Sequence, residues 1–258
     1  MRWPWSSSST DKEQDSVVSS KEFPIATDWS HYRDPRNIIP VVVLTGSAFV
    51  LSTFYRSYLK RIPQAINIEP EFWRKRSLFG QVTSVGDADN FRLFHTPGGR
   101  LAGWGLLPWR RVPGTAKELK EKTVHIRLAG IDAPEMAHFG NPAQPFSREA
   151  CDFLTSYVLH RRVRAYVHKR DQYDRAVATV YVRRWLLPRD VGLQMLKRGL
   201  ATVYEAKSGA EYGNREEKYR KAEKWARLKR MGMWGGSKKN YESPRDYKTR
   251  TGQAKPTK

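Results

Sequence analysis

Ile126-Arg127-Leu128-Ala129-Gly130-Ile131-Asp132-Ala133-Pro134-Glu135 is the stretch on which the fold turns. With Thr123-Val124-His125 before it, it opens as a β-strand. Val124, Ile126 and Leu128 share one face and Arg127 points from the other, free to meet solvent or a ligand. Pro134 forces Ala133 into extended geometry and stops the strand running on. Asp132 and Glu135 therefore follow where the strand ends, near Arg127. Carboxylates bind hard cations through oxygen, and guanidinium forks onto phosphate. This is equipment for phosphoryl transfer, although a surface salt bridge at a strand end accounts for an Arg and a Glu equally well.

Working outward, Gln81–Val85 alternates as a strand, Asp87-Ala88-Asp89-Asn90 is turn chemistry, and Phe91–Phe94 resumes the strand. Residues 96–122, rich in Gly, Pro and Trp, read as a long irregular insertion. Ser147–Leu159 reads as a helix with Ser147 as N-cap. Val163, Ala165 and Val167 alternate in the next strand. A turn at Asp171-Gln172-Tyr173-Asp174 leads into another strand over Ala176–Val182. Asp190 caps a helix over Val191–Arg198, closed by Gly199, and Arg215–Met231 is a long helix. Strands, helix, strands, helix, helix predict an α+β domain, a small β-barrel with helices packed around it.

Three clusters carry chemistry together: Asp87-Ala88-Asp89, the Arg127–Glu135 stretch and Asp171-Gln172-Tyr173-Asp174-Arg175. In content and order they resemble the signature of the staphylococcal-nuclease (thermonuclease) family. Val191–Ala201 and the helix ending in Gly232-Met233-Trp234 fit the same pattern, so the likeness covers residues 79–235. The resemblance implies a five-stranded OB-type barrel with packed helices, whose face binds oligonucleotides. It implies that Asp89 and Asp132 hold Ca²⁺, with the Ala133 carbonyl as a further ligand. It makes Glu135 the group that orients or deprotonates the attacking water, and Arg127 and Arg175 the grips on phosphate. Asp87 reads as a turn residue in preference to a supporting carboxylate. Ala88 and Asn90 depart from the family's usual Gly and Thr. Ala88 is expected to strain a left-handed turn. Asp174 stands where Gly is usual and is expected to compete with phosphate for Arg175.

The 258-residue chain carries a formal net charge of +21, which favours polyanionic partners, nucleic acid or anionic lipid. Its one cysteine, Cys151, excludes an intrachain disulfide and reads as a small core residue. Residues 1–37 and the basic tail 236–258 read as disordered, being polar and poor in aliphatic side chains. Residues 38–55 are uncharged, and about 18 residues of helix span roughly 27 Å, the depth of a bilayer core. They predict a transmembrane helix with Pro40 near its start, followed by a basic linker over 56–78. Basic residues flank the run on both sides: Arg33 and Arg36 before, Arg56, Lys60 and Arg61 after. The span and the insertion further resemble a fungal, mitochondrial group within the family. The basic helix with Lys218, Arg220, Lys221 and Lys224 reads as a backbone-contacting surface or a solvated face, and Trp104 and Trp109 as packed on the barrel or at the membrane interface in preference to stacking on bases. The expectation is a membrane-anchored, Ca²⁺-dependent endonuclease acting on DNA and/or RNA. The alternatives are an inactive nucleic-acid- or protein-binding module on the same fold, and a membrane adaptor gripping anionic lipid.

Overall fold

The structure is a computed structural model that describes residues 34–137, 140–205, 210–236 and 242–251. Most of the expected N-terminal disordered segment, residues 1–33, lies outside the described residues. The chain divides into two compact units, Met1–Ser52 and Thr53–Lys258. The first described element is helix α1, Pro35–Phe54, continued by one π-helical turn over Tyr55–Leu59. None of its side chains is buried, and it is long and apolar enough to cross a membrane. It starts three residues before the expected span, so Pro40 falls within the helix.

The larger unit is built on strands β1 (Ser77–Asp87), β2 (Asn90–His95), β3 (Val124–Leu128), β4 (Ile131–Asp132), β5 (Arg162–Arg170), β6 (Ala176–Arg184), β7 (Leu187–Asp190) and β8 (Thr202–Val203). A short helix, α2 (Ala116–Leu119), lies in the insertion. Helices α3 (Ser147–Val158), α4 (Val191–Lys197), α5 (Glu216–Leu228) and α6 (Pro244–Arg250) complete it. The main sheet runs β3-β2-β1-β5-β6-β7, and β3 also pairs with β6. That extra pairing closes five strands into a barrel, as the family likeness implied, and β7 extends it as a sixth strand. β4 and β8 form a separate antiparallel pair.

Burial follows the alternation read from the sequence. Val124, Ile126 and Leu128 are at most 2 % exposed, while His125 and Arg127 between them are half-buried. Leu78, Val82, Phe91, Leu93, Val163 and Val180 fill the barrel from the other strands. Helix α3 closes one side with Ala150, Leu154 and Val158, and α4 adds Met195 and Leu196. The cap of α3 is Phe146, in left-handed conformation, so Ser147 is its first residue and not its cap. Asp190 caps α4 as expected, its Oδ1 accepting from the Leu193 amide at 3.0 Å.

Two segments differ from the sequence reading. The linker is not a free tether, because Ile62, Ala65 and Ile68 lie in the core of the barrel unit. His95, 5 % exposed, accepts the Ile62 amide on Nδ1 at 2.9 Å. The expected disordered tail contains α6, with Ser243 Oγ accepting from the Asp246 amide at 3.1 Å as its cap. Tyr247 in α6 is buried, and its hydroxyl donates to the Pro142 carbonyl.

Burial, with the nearby Arg61 charge, pushes the His95 imidazole down to about 4 from its usual 6.5. The folded chain keeps His95 neutral where the unfolded chain would protonate it. Its contribution is therefore full above pH 6.5 and falls away as pH drops towards 4, by a few kcal/mol at most. His95→Asn should flatten the loss of stability between pH 6.5 and 4 in urea unfolding curves. Equal pH slopes for parent and variant would contradict this.

Candidate active site

Strand β3 gathers the site because it has two neighbours. In the antiparallel β2–β3 pairing Asn90 faces Arg127, so the Ala88-Asp89 turn sits at the C-terminal end of β3. There the Leu128 amide donates to the Asp89 carbonyl at 2.9 Å. In the parallel β3–β6 pairing Ile126 faces Ala176, so Arg175 enters β6 beside the middle of β3, near His125, and its charge still acts on Asp89. Gly130 then turns the chain into β4, which carries Asp132. Its φ is 71°, and a Cβ there would meet Tyr212 at 2.7 Å and Tyr219 at 3.0 Å. Only glycine meets both constraints without displacing an aromatic ring.

Arg127 is the hub. Its Nε lies 3.3 Å from Asp89 Oδ2 and its Nη2 lies 3.3 Å from Asp132 Oδ1. Its guanidinium also sits 5.2 Å from the centre of the Tyr204 ring. The two carboxylates are 7 % and 3 % exposed, so each needs compensating charge. Burial opposes the charged form of Asp89, but Arg127, Lys248 and Arg175 outweigh it and hold the carboxyl below its usual range. Burial likewise opposes the Arg127 charge, and Asp89 and Asp132 outweigh it and raise its basicity. Asn90 Nδ2 donates to Asp89 Oδ1 at 3.2 Å, and Thr202 Oγ1 donates to the Asp132 carbonyl at 3.2 Å.

Glu135 is placed by its own loop. Its amide donates to Gln144 Oε1 at 2.9 Å, and the Gln144 amide returns a bond to the Glu135 carbonyl at 2.9 Å. Gln144 is buried, and nothing in the sequence marked it. Arg175 is held from the side: its Nε donates to Asp171 Oδ2 at 2.7 Å and its amide to Asp171 Oδ1 at 2.9 Å. Asp171 also accepts from the Tyr173 amide at 2.9 Å, so one carboxylate shapes the whole turn.

Two of the departures noted in the sequence, Ala88 and Asp174, resolve differently. Ala88 is not in left-handed conformation, so the expected strain is absent. Asp174 does take a left-handed conformation, with φ 56°, but its carboxylate faces Arg170 at 3.6 Å. The residue that holds Arg175 is Asp171. Asp87 caps its own turn, accepting from the Ala88 amide at 2.7 Å. Burial, then the Asp89 and Glu135 charges, push its carboxyl up to about 6.

The largest surprise is Lys248 of α6. Its Nζ lies 2.7 Å from Asp132 Oδ1 and 2.7 Å from Glu135 Oε1. Burial disfavours its charge, yet Asp132, Asp89 and Glu135 prevail and raise its basicity. Asp132 and Glu135 thus face one cation between them, and that cation is the chain's own ammonium. Among the described residues no three acidic, histidine or cysteine side chains close into a metal cage by themselves. The donor set nonetheless suits a hard ion: all oxygen, strongly anionic, and already gripping a positive charge.

Comparison with known sequences identifies the family. The sequence profile described as "Staphylococcal nuclease homologue" matches residues 125–236. "Probable endonuclease lcl3" of Botryotinia fuckeliana is 64 % identical over 229 residues, 89 % of this chain and 87 % of the relative. The protein of the same name from Pyricularia oryzae is 60 % identical over 97 % of this chain and 96 % of its own length. That from Aspergillus niger is 54 % identical over 98 % and 97 %.

Proposed function

The chain belongs to the staphylococcal nuclease homologues and is a nuclease, and from that premise we propose that it is a membrane-anchored, Ca²⁺-dependent endonuclease cutting phosphodiester bonds of DNA and/or RNA. The observation that carries the proposal is the meeting of Asp89 and Asp132 on Arg127, with Glu135 beside Asp132 across Lys248.

Asp89 and Asp132 are the side chains that hold the ion, with the Ala133 carbonyl as a third oxygen. Calcium suits an irregular oxygen set completed by water and phosphate. A bound divalent ion supplies Lewis-acid stabilisation of the phosphoryl oxygens. Glu135 takes a proton from the attacking water as the water oxygen bonds to phosphorus, work commonly worth about 10²–10⁴ in rate. Arg127 and Arg175 spread the charge that builds on phosphorus while the bond to the leaving oxygen breaks. Asp171 aims Arg175 by its Nε, which leaves both terminal nitrogens for phosphate. Lys248 must withdraw from Asp132 before those oxygens can serve a metal, so α6 competes with the ion. The nuclease domain is proposed over 79–235 with α1 as the anchor, and Ile62, Ala65, Ile68 and helix α6 pack onto it from outside those limits. The mitochondrion is the proposed location, on the fungal family likeness alone.

Glu135→Gln should lower nicking of supercoiled plasmid by about 10²–10⁴-fold while oligonucleotide affinity in chelator is kept. Full cutting by that variant would remove Glu135 from its role and favour another base. Parent cutting indifferent to chelation would contradict the metal, and a folded parent that never cuts would favour the inactive binding module. Lys248→Ala should tighten Ca²⁺ binding, read by titration calorimetry, by about tenfold, equivalent to about 1.4 kcal/mol. Unchanged affinity would show that Lys248 does not share the ion's position.

A further inference from the structure

A second basic surface lies apart from these residues. It is a groove of about 1600 Å³ floored by the outer face of β1, β5 and β6. Strand alternation places Phe79 and Gln81 there from β1, Arg162, Arg164 and Tyr166 from β5, and Tyr181 and Arg183 from β6. Their neighbours Val163, Ala165, Val180 and Val182 fill the barrel. Pairing sets the floor in a row, with Phe79 opposite Arg164 and Arg164 opposite Tyr181. The loop 210–216 forms a wall. Gly213 presses so closely on the sheet that a Cβ would meet Thr179 at 2.6 Å. Asp89, Arg127, Asp132, Glu135 and Arg175 are all absent from its lining.

The lining has a marked chemistry. Seven of its residues are arginine and none of those described is lysine, in a chain rich in both. Two carboxylates, Glu211 and Glu216, oppose them; Glu211 pairs with Arg74, and Glu216 with Arg220 outside the groove. Arg76, Arg162 and Arg164 bond neutral oxygens, those of Ser57, Trp104 and Ser77, which position the guanidinium without cancelling its charge. Aromatic faces lie between the arginines. Tyr166 is 44 % exposed and meets Tyr181 edge-on at 5.5 Å, and Arg215 lies 5.0 Å from the Tyr181 ring centre.

We propose that this groove is a second binding site, for single-stranded nucleic acid, separate from the residues that cut. Guanidinium forks onto phosphate and stacks on aromatic planes as an ammonium does not. Aromatic rings on a sheet face accept unpaired bases, at about 1–3 kcal/mol per base. A lipid headgroup shares the phosphate, but a planar bilayer cannot enter a walled groove, and it leaves the tyrosines no base to stack. The inference goes beyond the cleavage reading and stands or falls apart from it. The site would hold the strand and keep the enzyme on a polymer between cuts.

The test uses the full chain in detergent with chelator present, and a labelled 20-nucleotide single-stranded DNA as probe. The triple variant Tyr166→Ala, Arg164→Ala, Arg183→Ala should weaken binding at least tenfold. Loss of two phosphate contacts should reduce the salt slope by about 1.4. Cutting of a dinucleotide, too short to reach the groove, should be unchanged once calcium is restored. If the parent does not cut the dinucleotide, the cleavage reading fails while the groove is still tested by binding. In the unmodified chain, a 5-iodouracil oligonucleotide should crosslink to Tyr166 or Tyr181. Equal probe affinity in parent and triple variant, or crosslinks confined to other segments, would overturn the proposal. So would a triple variant that loses only its binding to phosphatidylserine vesicles.

Discussion

The site depends on the double pairing of β3. One edge meets β2 in antiparallel register and the other meets β6 in parallel register, and both registers terminate at Arg127 and its neighbours. Asp89, Arg127 and Arg175, far apart along the chain, are brought alongside β3 by these two pairings, with Asp171 holding Arg175 in place. A slip of one residue would turn Arg127 into the barrel and Ile126 out of it. The apolar alternation of Val124, Ile126 and Leu128 therefore fixes where the chemistry sits as well as what fills the core. Gly130 extends the same geometry by turning sharply enough for Asp132 to return to Arg127.

Charge is the second constraint. Two nearly buried carboxylates share one guanidinium, and Glu135 adds a third negative group close by. One arginine does not balance them, and leaving a buried charge unpaired is costly. In this structure the missing charge arrives from α6 as Lys248, which touches Asp132 and Glu135 together. The same arithmetic applies to a divalent ion, whose two charges would satisfy the carboxylates without the tail. Under the proposed reading, an ammonium that serves as counter-ion in one state and yields to metal in another would join the stability of the resting fold to the occupancy of the site.

Much of this was legible in the sequence because it rests on local patterns. Alternation gave β3, turn chemistry placed Asp89 beside a hairpin, and Pro134 marked where Glu135 leaves the strand. What escaped is non-local. Lys248 lies in a polar stretch whose buried anchors among the described residues of its helix are Pro244 and Tyr247, too few to announce a docked helix. Ile62, Ala65 and Ile68 look like scattered apolar residues in a basic linker until His95 pins the segment to the barrel. β7, an exposed edge strand with a proline, offered no alternation to read. Gln144 acts through its side-chain amide on a loop that has no repeat. The family's glycine at the position of Ala88 implies a left-handed turn, yet the turn here needs no left-handed residue at that position.

The groove on the outer face of β1, β5 and β6 shows how one barrel can offer two faces. Inward residues build the core, outward ones build an arginine and tyrosine platform, and the strand ends carry the catalytic candidates. The central claim concerns those ends: that Asp89 and Asp132 hold a divalent ion where Lys248 now supplies the positive charge. Calcium anomalous scattering from crystals of the chain grown with Ca²⁺ tests it most directly. The account predicts an ion about 2.3–2.6 Å from oxygens of both aspartates, with the Lys248 ammonium withdrawn from Asp132. Calcium bound elsewhere, with Lys248 still on Asp132 in crystals of an enzyme that cuts DNA, would contradict it.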